Sequence, residues 1–208
     1  MTSSAGTGIG PLDGQVFLGG DIPQAYRFDR SGYVPDGKPD VLVLAASVDD
    51  VRRAVGYAAE HGLGVVPRGA GTGLAGGAAA GAGSLVLDVS GLNRILSLSA
   101  ADEIAEVEPG VITAELDRRA AEVGLRYAPD PASADISTIG GNIATNAGGL
   151  RCVKYGVTRD AVLGLSVVLA DGSLLHTGRR TAKGVAGLDL TSLLTGSEGT
   201  LGVIVGAT

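Results

Sequence analysis

Three glycine-rich segments constrain this chain more than any other feature of its sequence. Residues 69–83, 140–149 and 196–206 hold seven, four and four of the 35 glycines in 208 residues, and an average protein contains only about 7% glycine. Collagen needs glycine at every third position and many prolines, whereas no such period occurs here and there are 8 prolines. The hydrophobic fraction of 45% is too high for a disordered chain, so the glycine segments belong to a folded domain.

The first half of the chain carries the signals of a strand–helix–strand unit. The apolar run 41–44 predicts a buried strand, and Ser47 with Asp50 three residues later forms a capping-box pattern. Apolar residues then recur at helical spacing up to Gly62, which predicts a helix over 48–61. Because a second strand over 64–67 follows, the two strands are expected to form a parallel pair.

The remaining predicted elements are short. Strands are predicted at 85–89, 104–107, 162–169, 174–176 and 200–205, a helix at 112–123, and helical turns at 189–194. Asp171-Gly172 between two of the strands predicts a hairpin turn. Residues 1–37 lack a clear pattern and are predicted to be an irregular N-terminal arm, with helical turns near 24–27.

Charge and cysteine content limit the partners and the compartment. The net charge is −6 without a basic tract, which argues against nucleic acid or an anionic membrane as a partner. The 19 uncharged residues after Arg68 include seven glycines, which predicts a loop rather than a membrane span. The single cysteine, Cys152, allows no internal disulfide and fits a reducing, cytoplasmic compartment. Because the chain stops three residues after its last predicted strand, we expect it to be a piece of a longer protein.

The first glycine segment is typical of a phosphate-binding loop. Gly71, Gly73 and Gly76 match the dinucleotide fingerprint, but a strand rather than a helix is expected to follow, so a Rossmann site is rejected. The Gly-Lys-Ser/Thr ending of a P-loop is absent from the segment as well. Successive N–H groups could still bind phosphate oxygens, with positive charge from Arg68 and a hydroxyl from Thr72. A purely structural glycine loop is the alternative.

The other two glycine segments favour one long ligand. Residues 137–149 carry three hydroxyls, two carboxamides and four glycines without a charge, which suits a large neutral heteroaromatic ring. Residues 196–202 form a third segment of the same kind, with three glycines and one carboxylate. Three such segments are expected to wrap a single ligand with their backbone.

These segments resemble the FAD-binding domain of the FAD-linked oxidases, the vanillyl-alcohol-oxidase or PCMH-type flavoproteins. They are most similar to the branch that contains glycolate oxidase, D-lactate dehydrogenase and D-2-hydroxyglutarate dehydrogenase. The resemblance is carried by PRGAGTGLAGG (67–77), Asp130-Pro131, TIGGNIATNAGG (138–149), KYGVTRD (154–160) and GSEGTLG (196–202), which follow the family's order. It implies an α+β fold over residues 38–208, with a small parallel βαβ subdomain and a mixed, mainly antiparallel sheet with helices. FAD would lie between the two subdomains.

The resemblance also assigns residues to the cofactor. The pyrophosphate would lie on the first segment, the flavin beside the second, and the ribose, adenine or pyrophosphate beside the third. The residues implied are Arg68, Gly69, Ala70, Gly71, Thr72, Gly73, Leu74, Gly76, Gly77, Pro129, Asp130, Ser133, Thr138, Ile139, Gly140, Gly141, Asn142, Ala144, Thr145, Gly148, Gly149, Glu198, Gly199, Gly202, Val203 and Ile204. Relatives that bind FAD covalently use a histidine in the first segment, where this chain has Ala70, Gly71 and Thr72, so non-covalent FAD is implied.

The reaction that the resemblance implies needs more than these residues. In this branch the flavin takes a hydride from a D-2-hydroxy acid, the product is the 2-oxo acid, and the electrons pass to a separate acceptor. The substrate groups, the catalytic base and any metal ligands lie in a C-terminal domain that these 208 residues lack, so no catalytic residue and no metal ligand is assigned here. His61, His176 and Cys152 are expected to be structural or exposed. Two alternatives stay open: an FAD-dependent oxidase of a sugar, an alditol or an aryl alcohol, and a non-catalytic flavin- or nucleotide-binding module.

Overall fold

The fold consists of two β-sheets with helices packed against them. The computed structural model describes residues 8–181, 183 and 185–208, and within them the chain forms nine strands and six α-helices. The strands are β1 Gln15–Leu18, β2 Val41–Leu44, β3 Gly64–Arg68, β4 Ser84–Asp88, β5 Ile95–Ser99, β6 Ile104–Val107, β7 Gly164–Val168, β8 Leu174–Gly178 and β9 Val203–Ala207. The helices are α1 Val48–His61, α2 Thr113–Ala121, α3 Ile139–Thr145, α4 Cys152–Tyr155, α5 Thr158–Ala161 and α6 Leu190–Leu194.

The first sheet has the strand order β1-β2-β4-β3. β2, β4 and β3 are parallel, and β1 pairs with β2 in the antiparallel direction. The prediction that β2 and β3 form a pair is wrong in one respect, because β4 lies between them and is hydrogen-bonded to both. Every residue of β4 is buried, as expected for a central parallel strand covered on both faces.

Local sequence signals explain where α1 begins and where it ends. The Ser47 hydroxyl accepts a hydrogen bond from the Asp50 N–H, and the Asp50 carboxylate accepts one from the Ser47 N–H, so the predicted capping box is present. Gly62 ends the helix in the left-handed conformation, with φ of 66°. The apolar face of α1 packs into the core with Val51, Ala54, Val55 and Ala58.

The second sheet is antiparallel throughout, with the order β5-β6-β9-β7-β8. The predicted hairpin joins β7 and β8, and Gly172 in its turn has φ of 77°. The sequence prediction omits β5, whose pairing with β6 has a register shift between Ile95 and Ser97. α2 and α3 pack on this sheet, where Leu116, Ile139 and Ile143 join a buried cluster with Leu165, Val167 and Ile204.

The two subdomains share one hydrophobic core. Val168, Val203 and Val205 of the second sheet lie in the same buried cluster as Val43 and Leu85 of the first. The predicted α+β fold of two subdomains is confirmed, with the difference that the first sheet is mixed and the second is purely antiparallel. The shared core fixes the positions of the two sheets relative to each other. It thereby also fixes the segments of both subdomains that form the walls of a cleft.

The N-terminal arm is more ordered than predicted. Residues 1–7 lie outside the described residues, but β1 extends the first sheet, and Gln24–Arg27 form a short 3-10 helix as predicted. β1 is missed by sequence because it has only four residues and depends on pairing with β2 rather than on a pattern of its own. The domain boundary predicted at residue 38 therefore falls between two strands of one sheet.

Candidate functional site

A cleft of about 680 Å³ is walled by the loop after β3, by α3 and by the segment that leads into β9. Cofactor and ligand sites have volumes of about 300–1,000 Å³. The cleft brings together 21 of the 26 predicted cofactor residues. They are Arg68, Gly69, Ala70, Gly71, Thr72, Gly73, Leu74, Gly77, Ser133, Thr138, Gly140, Gly141, Asn142, Ala144, Thr145, Gly148, Glu198, Gly199, Gly202, Val203 and Ile204.

The backbone of the first glycine loop is the most unusual feature of this cleft. None of the seven N–H groups from Gly69 to Ala75 donates a hydrogen bond to another group in the described part of the chain. No helix follows the loop, as predicted, and Gly71 has φ of 65°. Residues 69 and 71–73 are half-buried and residues 70, 74 and 75 are exposed, and a row of donors without a protein partner suits an anion such as phosphate.

Arg68, at the start of the loop, is hydrogen-bonded to the protein backbone. Its guanidinium is buried and donates to three backbone carbonyls, those of Phe28 and Ala78 at 2.9 Å and of Ala25 at 3.1 Å. Burial lowers the pKa of Arg68, and the nearby Asp88, Tyr26 and Asp29 oppose that shift. Because three of its five N–H donors are used in these bonds, Arg68 fixes the loop to the segment that precedes it.

The second glycine segment contains α3, which the sequence does not predict. Thr138 caps this helix by accepting from the Gly141 N–H, while the N–H groups of Ile139 and Gly140 donate to Val111 and Pro109. The two glycines disfavour a helix locally, but an added Cβ at Gly140 would overlap Pro109, so close packing requires glycine there.

The polar side chains of this wall are bonded within the protein. The Asn142 carboxamide is 3% exposed and donates to Thr113 at 2.6 Å, and Asn146 accepts from the Arg159 N–H. The Thr145 hydroxyl donates to the Gly141 carbonyl. The two asparagines and Thr145 line the cleft, and the bonds within the protein use part of their donors and acceptors.

The third segment closes the cleft with strained backbone. Glu198 has φ of 52° and Gly199 has φ of 78°, and the Glu198 N–H donates to the Ala144 carbonyl at 2.8 Å. The Glu198 carboxylate lies beside Gly77 and has no hydrogen-bond or ion-pair partner among the described residues. A non-glycine residue with positive φ is uncommon and costs energy, so this conformation is maintained by its surroundings.

Five predicted residues do not line the cleft. Ile139 is buried in the second core cluster, and the Gly76 N–H is bonded to the Asp29 carboxylate. Asp130 accepts from the Arg151 N–H and pairs with its guanidinium, and Gly149 packs directly on the Asp130 backbone. Pro129 is buried next to them. These residues support the walls rather than forming their surface.

Sequence reasoning misses several residues of the cleft. The most notable is Arg30, which belongs to the N-terminal arm and lies beside the glycine loop. Asn146 and Ala147, at the end of α3, and Pro109 also line the cleft. No sequence pattern marks Arg30, because it reaches the site only through the tertiary packing of the arm.

A second cavity of about 720 Å³ shares Arg68, Gly69, Ala70 and Thr138 with the cleft. In it the Tyr26 hydroxyl donates to the Asp88 carboxylate at 2.9 Å, and Asp88 is buried. Burial and then the negative charge of Asp88 raise the pKa of Tyr26 to about 12. The neutral phenol therefore holds the carboxylate at the end of β4.

The described residues contain no group of three or more His, Cys, Asp or Glu side chains that could hold a metal ion. His61 stacks on Tyr57 at the end of α1, and His176 shares a hydrogen bond with Ser166 on the exposed part of the second sheet. The Cys152 sulfur accepts from the Gly149 N–H. No helix in the described ranges is long and apolar enough to cross a membrane.

Comparison with known proteins decides the family. A family model described as an FAD binding domain matches residues 39–178. The chain belongs to this family of FAD-binding domains. FAD is the cofactor that gives the family its description, and the matched range contains the glycine loop, α3 and strands β2 to β8.

Similar proteins share this domain but are longer. The chain is 50% identical over 169 residues to the glycolate oxidase subunit GlcD of Bacillus subtilis, which covers 81% of this chain and 36% of that protein. It is 38% identical over 190 residues to a D-lactate dehydrogenase of Anaerostipes hadrus, or 91% of this chain and 40% of the relative. The solved structure of 6-hydroxy-D-nicotine oxidase from Arthrobacter nicotinovorans matches with a TM-score of 0.78 at 25% identity, over 94% of this chain and 41% of that one. The chain thus spans about two fifths of the length of these proteins.

Proposed function

We propose that this FAD-binding domain holds FAD non-covalently in the cleft, as the cofactor-binding part of an oxidoreductase of D-2-hydroxy acids. The observation that carries the proposal is the row of seven N–H groups, Gly69 to Ala75, without a partner in the described part of the protein. A dinucleotide brings a pyrophosphate, which is an anion with enough oxygens to accept from several of them.

Free space beside the loop supports the same placement. An added Cβ at Gly73 would come no closer than 3.9 Å to another residue, at the Asp29 carboxylate, and at Gly148 no closer than 3.6 Å, at Cys152. The backbone is open to the cleft at these positions. We place the pyrophosphate on residues 69–75 and the flavin along α3, where Ala144 and the glycines leave room for a flat ring.

The attachment is proposed to be non-covalent because neither histidine of the chain lines the cleft. Arg30, Arg68 and Glu198 are the ionisable groups among the described cleft residues. None of them is assigned a proton transfer, so the part of this chain is to bind and orient the cofactor.

The substrate class rests on the relatives. When bound, FAD accepts a hydride from the carbon that is oxidised. We propose that this carbon is the hydroxyl-bearing carbon of a D-2-hydroxy acid, converted to a 2-oxo acid, because similar proteins are named glycolate oxidase and D-lactate dehydrogenase. The substrate-binding groups lie outside these 208 residues, a separate acceptor takes the electrons, and the lone Cys152 favours a reducing, cytoplasmic compartment.

Thermal unfolding of the purified chain with FAD, FMN, ATP or NAD tests the cofactor. A ligand at a hundredfold excess over its Kd stabilises the folded state by about 2.7 kcal/mol, and we expect the largest shift with FAD. Denaturation is expected to release the flavin completely. A shift with ATP and none with FAD would contradict the proposal.

A second experiment tests the proposal that this chain binds the cofactor but not the substrate. The FAD-loaded chain is expected to keep its flavin oxidised when glycolate or D-lactate is added, because the substrate groups lie elsewhere. Absorbance of the flavin under anaerobic conditions is the measurement. Rapid bleaching by either acid would show that this chain holds a complete active site.

A further inference from the structure

The N-terminal arm crosses the glycine loop and is hydrogen-bonded to it. We refer to residues 24–36 as the strap. The Arg30 N–H donates to the Gly73 carbonyl at 2.9 Å, and the Ala80 N–H donates to the Arg27 carbonyl at 3.1 Å. These bonds fix the backbone of Arg30 beside the centre of the row of unpaired N–H groups.

The acidic neighbour of Arg30 is already occupied. The Asp29 carboxylate accepts from the Ser31 N–H at 2.9 Å and from the Ala78 N–H at 3.4 Å. Burial opposes its ionisation, but hydrogen bonds from Ser31, Ala78 and Gly76 outweigh burial and hold the pKa of Asp29 below its ordinary value. Asp29 therefore fastens the strap to the loop and forms no ion pair with Arg30 among the described residues.

Arg68, the other cation at the cleft, is occupied as well. Two of its three carbonyl partners, Ala25 and Phe28, belong to the strap, and the third, Ala78, belongs to the loop. Its guanidinium therefore connects the strap to the loop through hydrogen bonds to both. Both Nη1 donors and one Nη2 donor of Arg68 are thereby used within the described residues.

Arg30 is the cation that remains available. Its side chain is exposed, lines the cleft, and takes part in no hydrogen bond or ion pair within the described residues. Glu198, the carboxylate that lines the same cleft, is not paired with it either. A free guanidinium beside unpaired N–H groups is the combination that recognises phosphate.

We propose that Arg30 is the residue whose positive charge binds the phosphates of the nucleotide, so that the strap is part of the binding site. This inference deepens the proposed function and rests on it. The sequence pattern favours Arg68 for this role, whereas the contacts of the two side chains favour Arg30.

The experiment compares Arg30→Gln with Lys38→Gln in the purified chain. Lys38 makes the matched control because it is exposed, follows the strap closely, and lies outside the cleft, so both variants lose one charge. Binding of FAD, ADP and riboflavin is measured by calorimetry at low and high salt. A charge-assisted hydrogen bond contributes enough to change a Kd by about tenfold or more, and screening by salt weakens it.

We expect Arg30→Gln to weaken FAD and ADP binding by about tenfold, to flatten the salt dependence, and to leave riboflavin, which has no phosphate, unchanged. Arg30→Lys is expected to recover part of the affinity, and Lys38→Gln to bind like the wild type. If the wild type and Arg30→Gln bind FAD with equal affinity, the inference fails and the proposed function stands. The inference also fails if Arg30→Gln weakens the binding of riboflavin as much as the binding of FAD. If the wild-type chain binds neither FAD nor ADP, the inference and the proposed function both fail.

Discussion

Glycine has two separate uses in the cleft. At Gly69, Gly77 and Gly140 an added Cβ would overlap Thr138, Glu198 and Pro109, so these glycines let parts of the protein pack together. Gly73 is different, because its backbone is not in the left-handed region and the space beside it is open. Glycine content alone therefore does not measure the ligand surface, and each position has to be judged from its neighbours.

Gly73→Ala separates ligand contact from folding. We expect the free energy of unfolding to stay within about 0.5–1 kcal/mol of the wild type, because the methyl group would come no closer than 3.9 Å to another residue. FAD affinity is expected to fall at least about tenfold, because the methyl group occupies space that the pyrophosphate would use. Chemical denaturation and FAD titration are the two measurements.

Gly20→Ala is the matched control, since Gly20 also has open space around it and lies outside the cleft. Gly71 would be a poor choice, because its φ is 65° and an added Cβ would overlap the Arg68 guanidinium. Unchanged FAD binding by Gly73→Ala would mean that the loop does not approach the ligand.

Two tyrosines give the protein a defined response to alkaline pH. Burial and Asp88 raise the pKa of Tyr26 from 10.0 to about 12, and burial raises that of Tyr127 to about 12 despite an opposing hydrogen bond with Thr158. Because folding favours the protonated phenols, their contribution to stability is complete below pH 10 and is lost as the pH rises toward 12. Denaturant unfolding at a series of pH values should follow this decline.

Phenolate absorbance of the native protein, measured against pH, shows which tyrosines have a raised pKa. Of the five tyrosines, Tyr26 and Tyr127 are expected to ionise last. In the variant Tyr26→Phe, only Tyr127 is expected to ionise at such a high pH. Tyr155 is expected to ionise early, because a hydrogen bond from Lys154 and the charge of that lysine lower its pKa. Five tyrosines that titrate together near pH 10 would show that Tyr26 and Tyr127 are not held as described.

At the scale of elements, the start of α1 and the start of β1 depend on one carboxylate. Asp50 is 1% exposed and accepts hydrogen bonds from the N–H groups of Asp13, Gly14, Ala46 and Ser47. The carboxylate therefore caps the helix and also fixes the turn that leads into the edge strand. Only the first of these two roles is visible in the sequence, as the Ser47–Asp50 spacing.

Asp50→Ala is expected to destabilise the protein by about 3 kcal/mol, because four N–H groups lose a buried, charged acceptor. Ser47→Ala removes a single capping bond and is expected to cost about 1 kcal/mol. Urea denaturation of both variants measures the difference. Equal costs would indicate that the contacts of Asp50 with residues 13 and 14 contribute nothing.

The elements that the sequence predicts are those with local signals. α1 has a capping box and a terminal glycine, and the β7–β8 hairpin has Asp171-Gly172, so both follow from a few neighbouring residues. β1 has no such signal and depends on pairing with β2. α3 has a cap in Thr138 but two glycines in its first turn, so it depends on contacts with residues 109–113. For the same reason the glycine segments could be located in the sequence, but Arg30 could not.

At the scale of the whole molecule, the site depends on the join between the two subdomains. The loop after β3 comes from the first sheet, while α3 and the segment before β9 belong to the second, and the cleft exists because a shared core holds them together. The distribution of glycines predicts that three distant segments meet. Tertiary contacts also hold the side chains in the site, and Arg68 and Asn142, which line the cleft, are both hydrogen-bonded to protein groups.

Hydrogen exchange of the loop N–H groups with and without FAD tests the central claim most directly. In the free protein the N–H groups of residues 69–75 have no partner in the described chain, so they should exchange rapidly. Saturating FAD is expected to slow exchange in residues 69–75, while the exposed turn at 100–103, which lies outside the cleft, should stay unchanged. FAD that binds without protecting residues 69–75, or that changes exchange nowhere in the protein, would contradict the placement of the pyrophosphate on this loop.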